Sequence, residues 1–164
     1  MVSEKENFMR TWDREVQITL KVLKNYPPSR QDYKPHEKSR SAKELAWVFV
    51  VEEKATIAGV ISGQIDFSNM SSTPTNIKDV LSEFEKSHKD GMNKLKNMSE
   101  DDLNKTMRFP VAAKKMMDFR KLDVLWMVLM DQIHHRGQFS VYLRLVSAKV
   151  PSIYGPTADE PWNN

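Results

Sequence analysis

Residues Leu129 to Leu145 read LMDQIHHRGQFSVYLRL. The stretch is apolar enough for a buried helix, yet it carries an aspartate and two adjacent histidines at its centre, followed by Arg-Gly-Gln. A core helix accepts such groups only when each has a partner. Asp131 and His135 are four residues apart, so on a helix both project from one face about one turn apart. That is the spacing by which two ligands on one helix grip a single ion, as in HExxH zinc helices. His134 sits about 100° round the helix from His135, which sets it apart from that face. Two readings remain open at this level: a metal site, or a hydrogen-bonded ion pair that locks the helix against its neighbours.

Working outward, the apolar character persists from about Lys121 to Ala148, which predicts a long fourth helix. The first helix is predicted from about Ser3 to Asn25, because Phe8, Trp12, Val16, Thr19, Leu20 and Leu23 recur at spacings of three and four. Pro27, Pro28 and Pro35 then forbid a continuous helix and make residues 25–41 a long crossover loop. SAKE at Ser41–Glu44 is a capping box that opens a second helix, expected to run to about Phe67 with its first half buried. Residues 68–74 form a loop. The third helix starts near Thr75, with Ile77, Val80, Leu81, Phe84, His88, Met92 and Leu95 on one stripe. SEDDL (99–103) opens a short helix, residues 107–119 read as irregular or extended, and a Pro- and Gly-punctuated tail follows Val150. Four long helices with a long first connection describe an all-α chain, a four-helix bundle with an irregular C-terminal tail, as a single domain over residues 1–164.

Composition narrows the function classes. The 164 residues include no cysteine, which excludes disulfides, thiolate metal sites and cysteine nucleophiles; any metal falls to His, Asp or Glu. The net charge is +3, but the 25 basic and 22 acidic residues are interleaved, a pattern of solvated helix faces rather than of a nucleic-acid-binding stripe. The charged N-terminus does not read as a secretory signal, and the apolar runs LAWVFVV and VLWMVLM are far shorter than the ~20 residues of a spanning helix. The expectation is a cytoplasmic protein with no membrane and no nucleic-acid partner.

IHHRGQFSVYLRL closely resembles the signature of the DinB/YfiT-like family, whose last bundle helix carries HxxxHRGQ…YLR. KPHEKSRSAKELAWVFVVEE, LKNMSEDDL and VPSIYGPTADEPW extend the resemblance from about Lys34 to the C-terminus. The resemblance implies an up-down-down-up bundle with a divalent metal near its centre, in the fullest pattern held by three histidines. Those positions fall here on Val48, Asp131 and His135, so one imidazole is kept, one becomes a carboxylate and one is lost. Glu52, one turn beyond Val48, has the reach to supply a third ligand, and a Glu–Asp–His set favours Mn²⁺, Fe²⁺ or Ni²⁺ over a tight Zn²⁺ site. Glu53 is the neighbouring alternative on a different face. The resemblance further implies a metal-dependent enzyme of thiol-dependent S-transferase or hydrolase type, acting on a small-molecule or thiol substrate with a degenerate metal site, and assembled as a homodimer. The alternative is a non-catalytic, stress-associated dimeric bundle that binds a small molecule or a protein partner. The family name refers to damage-inducible expression and carries no implication of DNA binding.

Among the other polar residues, His36 reads as a solvated loop residue and His88 as a satisfied core histidine. His134 is expected to bond to a neighbouring helix or near Asp131, and Arg136 to pair with a buried carboxylate. Gly137 costs ~1 kcal/mol in mid-helix and points to close approach of a helix or subunit.

Overall fold

Each described α-helix but the last begins where a side chain takes over a free amide of its first turn. The computed structural model describes residues 2–68 and 71–162. Ser3 and Glu6 form a reciprocal capping box at the start of α1 (Glu4–Lys24), and Ser41 and Glu44 form the expected one at α2 (Ala42–Ser62). Asn76 caps α3 (Ile77–Lys96) and Ser99 caps the short α4 (Glu100–Asn104). The last helix, α5 (Lys121–Leu145), has no side-chain cap and continues directly from a strand. The crossover between α1 and α2 holds only one 3₁₀ turn, Pro28–Arg30, and is tied down by hydrogen bonds: Tyr142 Oη donates to the Arg40 carbonyl at 2.9 Å, and the Ile77 amide donates to Gln31 Oε1 at 2.8 Å.

The four long helices pack pairwise, α1 and α2 each against both α3 and α5. All six residues of the predicted α1 stripe are buried, joined by Glu15 and Val22. In α3, Ile77, Val80, Phe84, His88 and Leu95 are buried, while Leu81 and Met92 lie at the margin. α2 is buried on nearly every side, as a central helix must be. Gly91 lets α1 and α2 close on α3: a Cβ there would stand 2.7 Å from Trp12 Cη2 and 3.2 Å from Ile57 Cγ1.

Three boundaries and one element differ from the sequence expectation. α2 stops at Ser62 rather than at Phe67, because Gly63 turns the chain out of the helix in the left-handed region (φ 90°, ψ 2°), where a residue without Cβ is unstrained. α3 begins at Ile77, and α5 ends at Leu145 rather than Ala148. Asn69 and Met70 of the predicted loop lie outside the described residues. The expectation of an all-α chain is corrected by an antiparallel hairpin, β1 (Thr106–Ala112) and β2 (Lys115–Arg120), with a bulge between Pro110 and Ala112. The chain leaving α2 pairs with the hairpin: the Arg108 amide donates to the Gly63 carbonyl at 2.8 Å, and the Ile65 amide to the Arg108 carbonyl at 3.1 Å. Met107 is buried against α2 at Gly59, where a Cβ would stand 3.0 Å from the Met107 methyl. Among the described residues the chain is therefore mostly helical, with five α-helices and one small sheet. No helix is long and apolar enough to cross a membrane among the described residues.

Among the described residues most buried polar side chains are paired, with Thr56 Oγ1 and one oxygen of Glu52 the exceptions. Arg136, 1 % exposed, donates to Glu15 Oε2 at 2.8 Å and to the Glu15 carbonyl at 3.1 Å, which supplies the carboxylate expected for it. Tyr154 of the C-terminal tail donates from its hydroxyl to the same Glu15 carboxylate at 2.5 Å, and Arg136 stacks over its ring. On the other side of the core, His88 Nδ1 lies 3.0 Å from Glu53 Oε1 and its Nε2 3.1 Å from Asp13 Oδ1, while Ser87 donates to Glu53 at 2.9 Å. His88 is thus a satisfied core histidine. Gly137 is not explained by close approach within the chain: a Cβ there would meet nothing within 4 Å.

Candidate metal centre

Glu52 and Glu53 are neighbours on α2 and face different helices. Glu53 turns to His88 on α3, and Glu52 turns to α5, where Asp131 and His135 stack one turn apart. The three residues named from the sequence converge: one ligand atom from each of Glu52, Asp131 and His135 lies within 4.8 Å of the others. His135 Nε2 is 3.1 Å from Glu52 Oε1 and 3.7 Å from Asp131 Oδ2. Glu52 and His135 are mostly buried and Asp131 is exposed, and Glu52 and Asp131 line a cleft beside the cluster. His36 is an exposed loop residue that accepts the Lys38 amide and takes no part.

The tautomer of His135 follows from its neighbours. Gln138 Nε2 lies 2.8 Å from His134 Nε2, which leaves Gln138 Oε1 facing His135 Nδ1 at 3.1 Å. Nδ1 therefore carries a proton and donates to Gln138, and Nε2 is the nitrogen aimed at the carboxylates. Gln138 and His134 have the role of an outer pair that holds the ring; the expectation that His134 bonds to a neighbouring helix or near Asp131 is corrected, since its partner is Gln138 one turn along its own helix.

Glu52 and His135 shift each other across their contact. Burial pushes the Glu52 carboxyl above its ordinary range; the hydrogen bond and charge of His135 oppose this, and Asp131 adds to it. The hydrogen bond to Glu52 lifts His135 above the usual imidazole value, against the effect of burial. Glu52 Oε2 is buried and has no hydrogen-bond partner. An unsatisfied buried carboxylate oxygen costs free energy, and a cation beside it would relieve that cost.

The donor set fits one ion. Neighbouring donors on an octahedral ion with ~2.1 Å bonds stand about 3 Å apart, close to the separations of 3.1 and 3.7 Å here. Two oxygens and one nitrogen suit a harder or borderline ion. Val48 lines the same cleft with an apolar side chain, so the set does not match a tight three-histidine zinc site. The cleft is about 700 Å³, within the range of small-molecule sites, and Trp47, Val51, Val128, Phe67 and Phe109 wall it. Phe109 comes from the hairpin and Phe67 from the segment after α2, two parts of the site that helical periodicity could not announce.

The DinB family model matches residues 1–163. This chain belongs to the DinB family. A protein of Bacillus subtilis (strain 168) named as uncharacterised, YrdA, is 22% identical over 161 residues, 94% of this chain and 90% of its own length. Among solved structures, a DinB-like protein from Bacillus cereus ATCC 10987 matches with a TM-score of 0.75 at 22% identity, over 91% of this chain and 97% of that one. The DinB-like YjoA of Bacillus subtilis matches at 0.73 with 18% identity, over 90% and 96%. A DinB family member from Exiguobacterium sibiricum 255-15 matches at 0.71 with 17% identity, over 93% and 97%. At these identities the structures establish the fold for this DinB-family chain, and the chemistry rests on its own residues.

Proposed function

We propose that this DinB-family chain is a divalent-metal-dependent enzyme of thiol-dependent S-transferase or hydrolase type, with Glu52, Asp131 and His135 holding one ion. The proposal includes the finer architecture, an up-down-down-up four-helix bundle, and a homodimer formed through the face of α5 that exposes Met127 and Met130 beside Gly137. The observation that carries the reading is the buried, unpartnered Glu52 Oε2, on a carboxylate whose other oxygen lies 3.1 Å from His135 Nε2.

Mn²⁺, Fe²⁺ or Ni²⁺ suit this oxygen-rich set better than Zn²⁺. An ion held there supplies Lewis acidity, lowering the pKa of a thiol or water at its open position. The protein's own contribution is positional. Gln138 fixes the His135 ring, the apolar walls exclude bulk water, and Asp131 faces the open side of the cleft, from which a substrate enters. One observation favours the non-catalytic alternative: the Glu52–His135 contact is satisfied by a proton alone, and Val48 removes the family's imidazole from α2.

Calorimetry with Mn²⁺, Ni²⁺ and Zn²⁺, together with metal analysis of native-purified protein, separates the two. About one ion per chain is expected. His135→Ala should abolish binding, and His134→Ala should retain most of it, since His134 acts only through Gln138. Val48→His should tighten it and raise the melting temperature with added metal; an ion at a hundred times its Kd adds about 2.7 kcal/mol to the native state. If wild type and Val48→His both ignore millimolar metal, the cluster is a structural hydrogen-bond network and the enzyme reading falls.

A further inference from the structure

The crossover loop forms a wall between two clefts. On one side lies the candidate metal cleft, and on the other a second cleft of about 700 Å³ between the loop and α5. Lys38, Ser39 and Arg40 line both. The two differ in charge. The metal cleft is lined by Glu37, Glu44, Glu52 and Asp131 as well as by cations. The second cleft has Lys38, Arg40 and Ser39, with Gln138 already held by His134 and His135, and no carboxylate in its lining. Among the described residues neither cation is engaged in an ion pair, whereas the nearby Lys34 reaches Glu44 at 3.6 Å.

The rest of the second cleft is apolar and fixed. Leu45 is buried at its base, Val141 stands exposed on its wall at 55%, and the Tyr142 ring is held by its hydroxyl bond to the Arg40 carbonyl. That bond also pins the backbone of Arg40, which lines the cleft. Two unpaired cations over a half-apolar surface recognise an oxyanion attached to an apolar group, because the cations gain charge-assisted hydrogen bonds that nothing in the chain supplies. In the metal cleft four carboxylates offset these cations, so the same anion is favoured in the second cleft.

We propose that the cleft between the crossover loop and α5 binds a small organic anion, a carboxylate or phosphate monoester with an apolar body, through Lys38 and Arg40. The site is independent of the metal, so it is tested on the whole chain in the presence of a chelator. Calorimetry with 2-naphthoate, 1-naphthyl phosphate and the neutral 2-naphthalenemethanol is the measurement. At least one anion should bind, with the neutral analogue weaker by about tenfold or more, the factor that losing one charge-assisted hydrogen bond brings. The carboxylate and phosphate arms tell which head group is preferred. Lys38→Gln/Arg40→Gln should weaken anion binding by about tenfold or more, and higher salt should do the same to wild type. Val141→Glu, on the wall of this cleft alone, should abolish it, while Glu52→Gln should leave it unchanged and remove metal binding. All three substituted residues of the anion test are exposed, so melting temperatures should match wild type. Equal binding of the neutral analogue, no anion binding at all, or indifference to Val141→Glu overturns the proposal, whatever the metal experiments show.

Discussion

His88 shows how much one buried side chain can hold when both ring nitrogens are engaged. Its partners Glu53 and Asp13 come from α2 and α1, so the imidazole links three helices at one point. Burial lowers its pKa, but the hydrogen bonds and charges of Glu53 and Asp13 outweigh burial and the net shift is upward. A raised imidazole pKa means that the folded chain holds the proton more tightly than the unfolded chain. The resulting stability is fully present below the unfolded value of about 6.5 and is lost as pH rises through the higher folded value. The stability difference between wild type and His88→Gln should therefore be largest near pH 6 and shrink toward pH 9 in urea titrations. A difference that grows with pH would show the histidine to be neutral in the fold.

Elements in this chain are set by glycine as much as by apolar stripes. Gly91 on α3 and Gly137 on α5 look equivalent in the sequence, each a helix-interior residue that costs stability by propensity. Their surroundings are opposite. At Gly91 an added methyl meets the buried Trp12 ring at 2.7 Å, and Trp12 is wedged against Phe8 and His88. Gly91→Ala should destabilise by about 1–3 kcal/mol through overpacking. At Gly137 the same methyl enters open space. Gly137→Ala should stabilise the isolated chain by up to about 1 kcal/mol. Thermal denaturation of the two variants side by side checks the contrast. Equal shifts of the same sign would mean that the Trp12 contact yields without cost.

Across the whole molecule, the tail is fastened to the helices through one buried charge pair. Glu15 and Arg136 are 121 residues apart, and Tyr154 closes over both from the tail. Burial pushes the Glu15 carboxyl up, but the hydrogen bonds of Tyr154 and Arg136 and the Arg136 charge outweigh it, and the net pKa is lowered. Arg136→Met should cost about 3 kcal/mol, because it strands a buried carboxylate. The cost stays near the low end because Arg14 also reaches Glu15, at 3.0 Å. Hydrogen exchange should rise in residues 150–160 of the same variant if Tyr154 loses its anchor there. Unchanged exchange in the tail would assign its order to the Arg144–Asp159 and Lys21–Glu160 pairs instead.

The long helices, their capping boxes and the shared face of Asp131 and His135 were legible in the chain, because each depends on residues within one or two turns of one another. The family signature likewise pointed to Val48, and helical spacing from it to Glu52, both of which lie on α2. One signal was present and unread: Glu15 occupies a stripe position between Trp12 and Thr19, where an acid demands a buried cation. Tertiary structure decided the rest. The hairpin at 106–120 draws its order from pairing with Gly63–Ile65 more than forty residues away and from the burial of Met107, and Pro110 and four lysine or arginine side chains mask any local strand pattern. Which of Glu52 and Glu53 faces Asp131 and His135 was decided by the packing of α2 between α3 and α5, since adjacent residues on a helix point about 100° apart and only the neighbours choose between them.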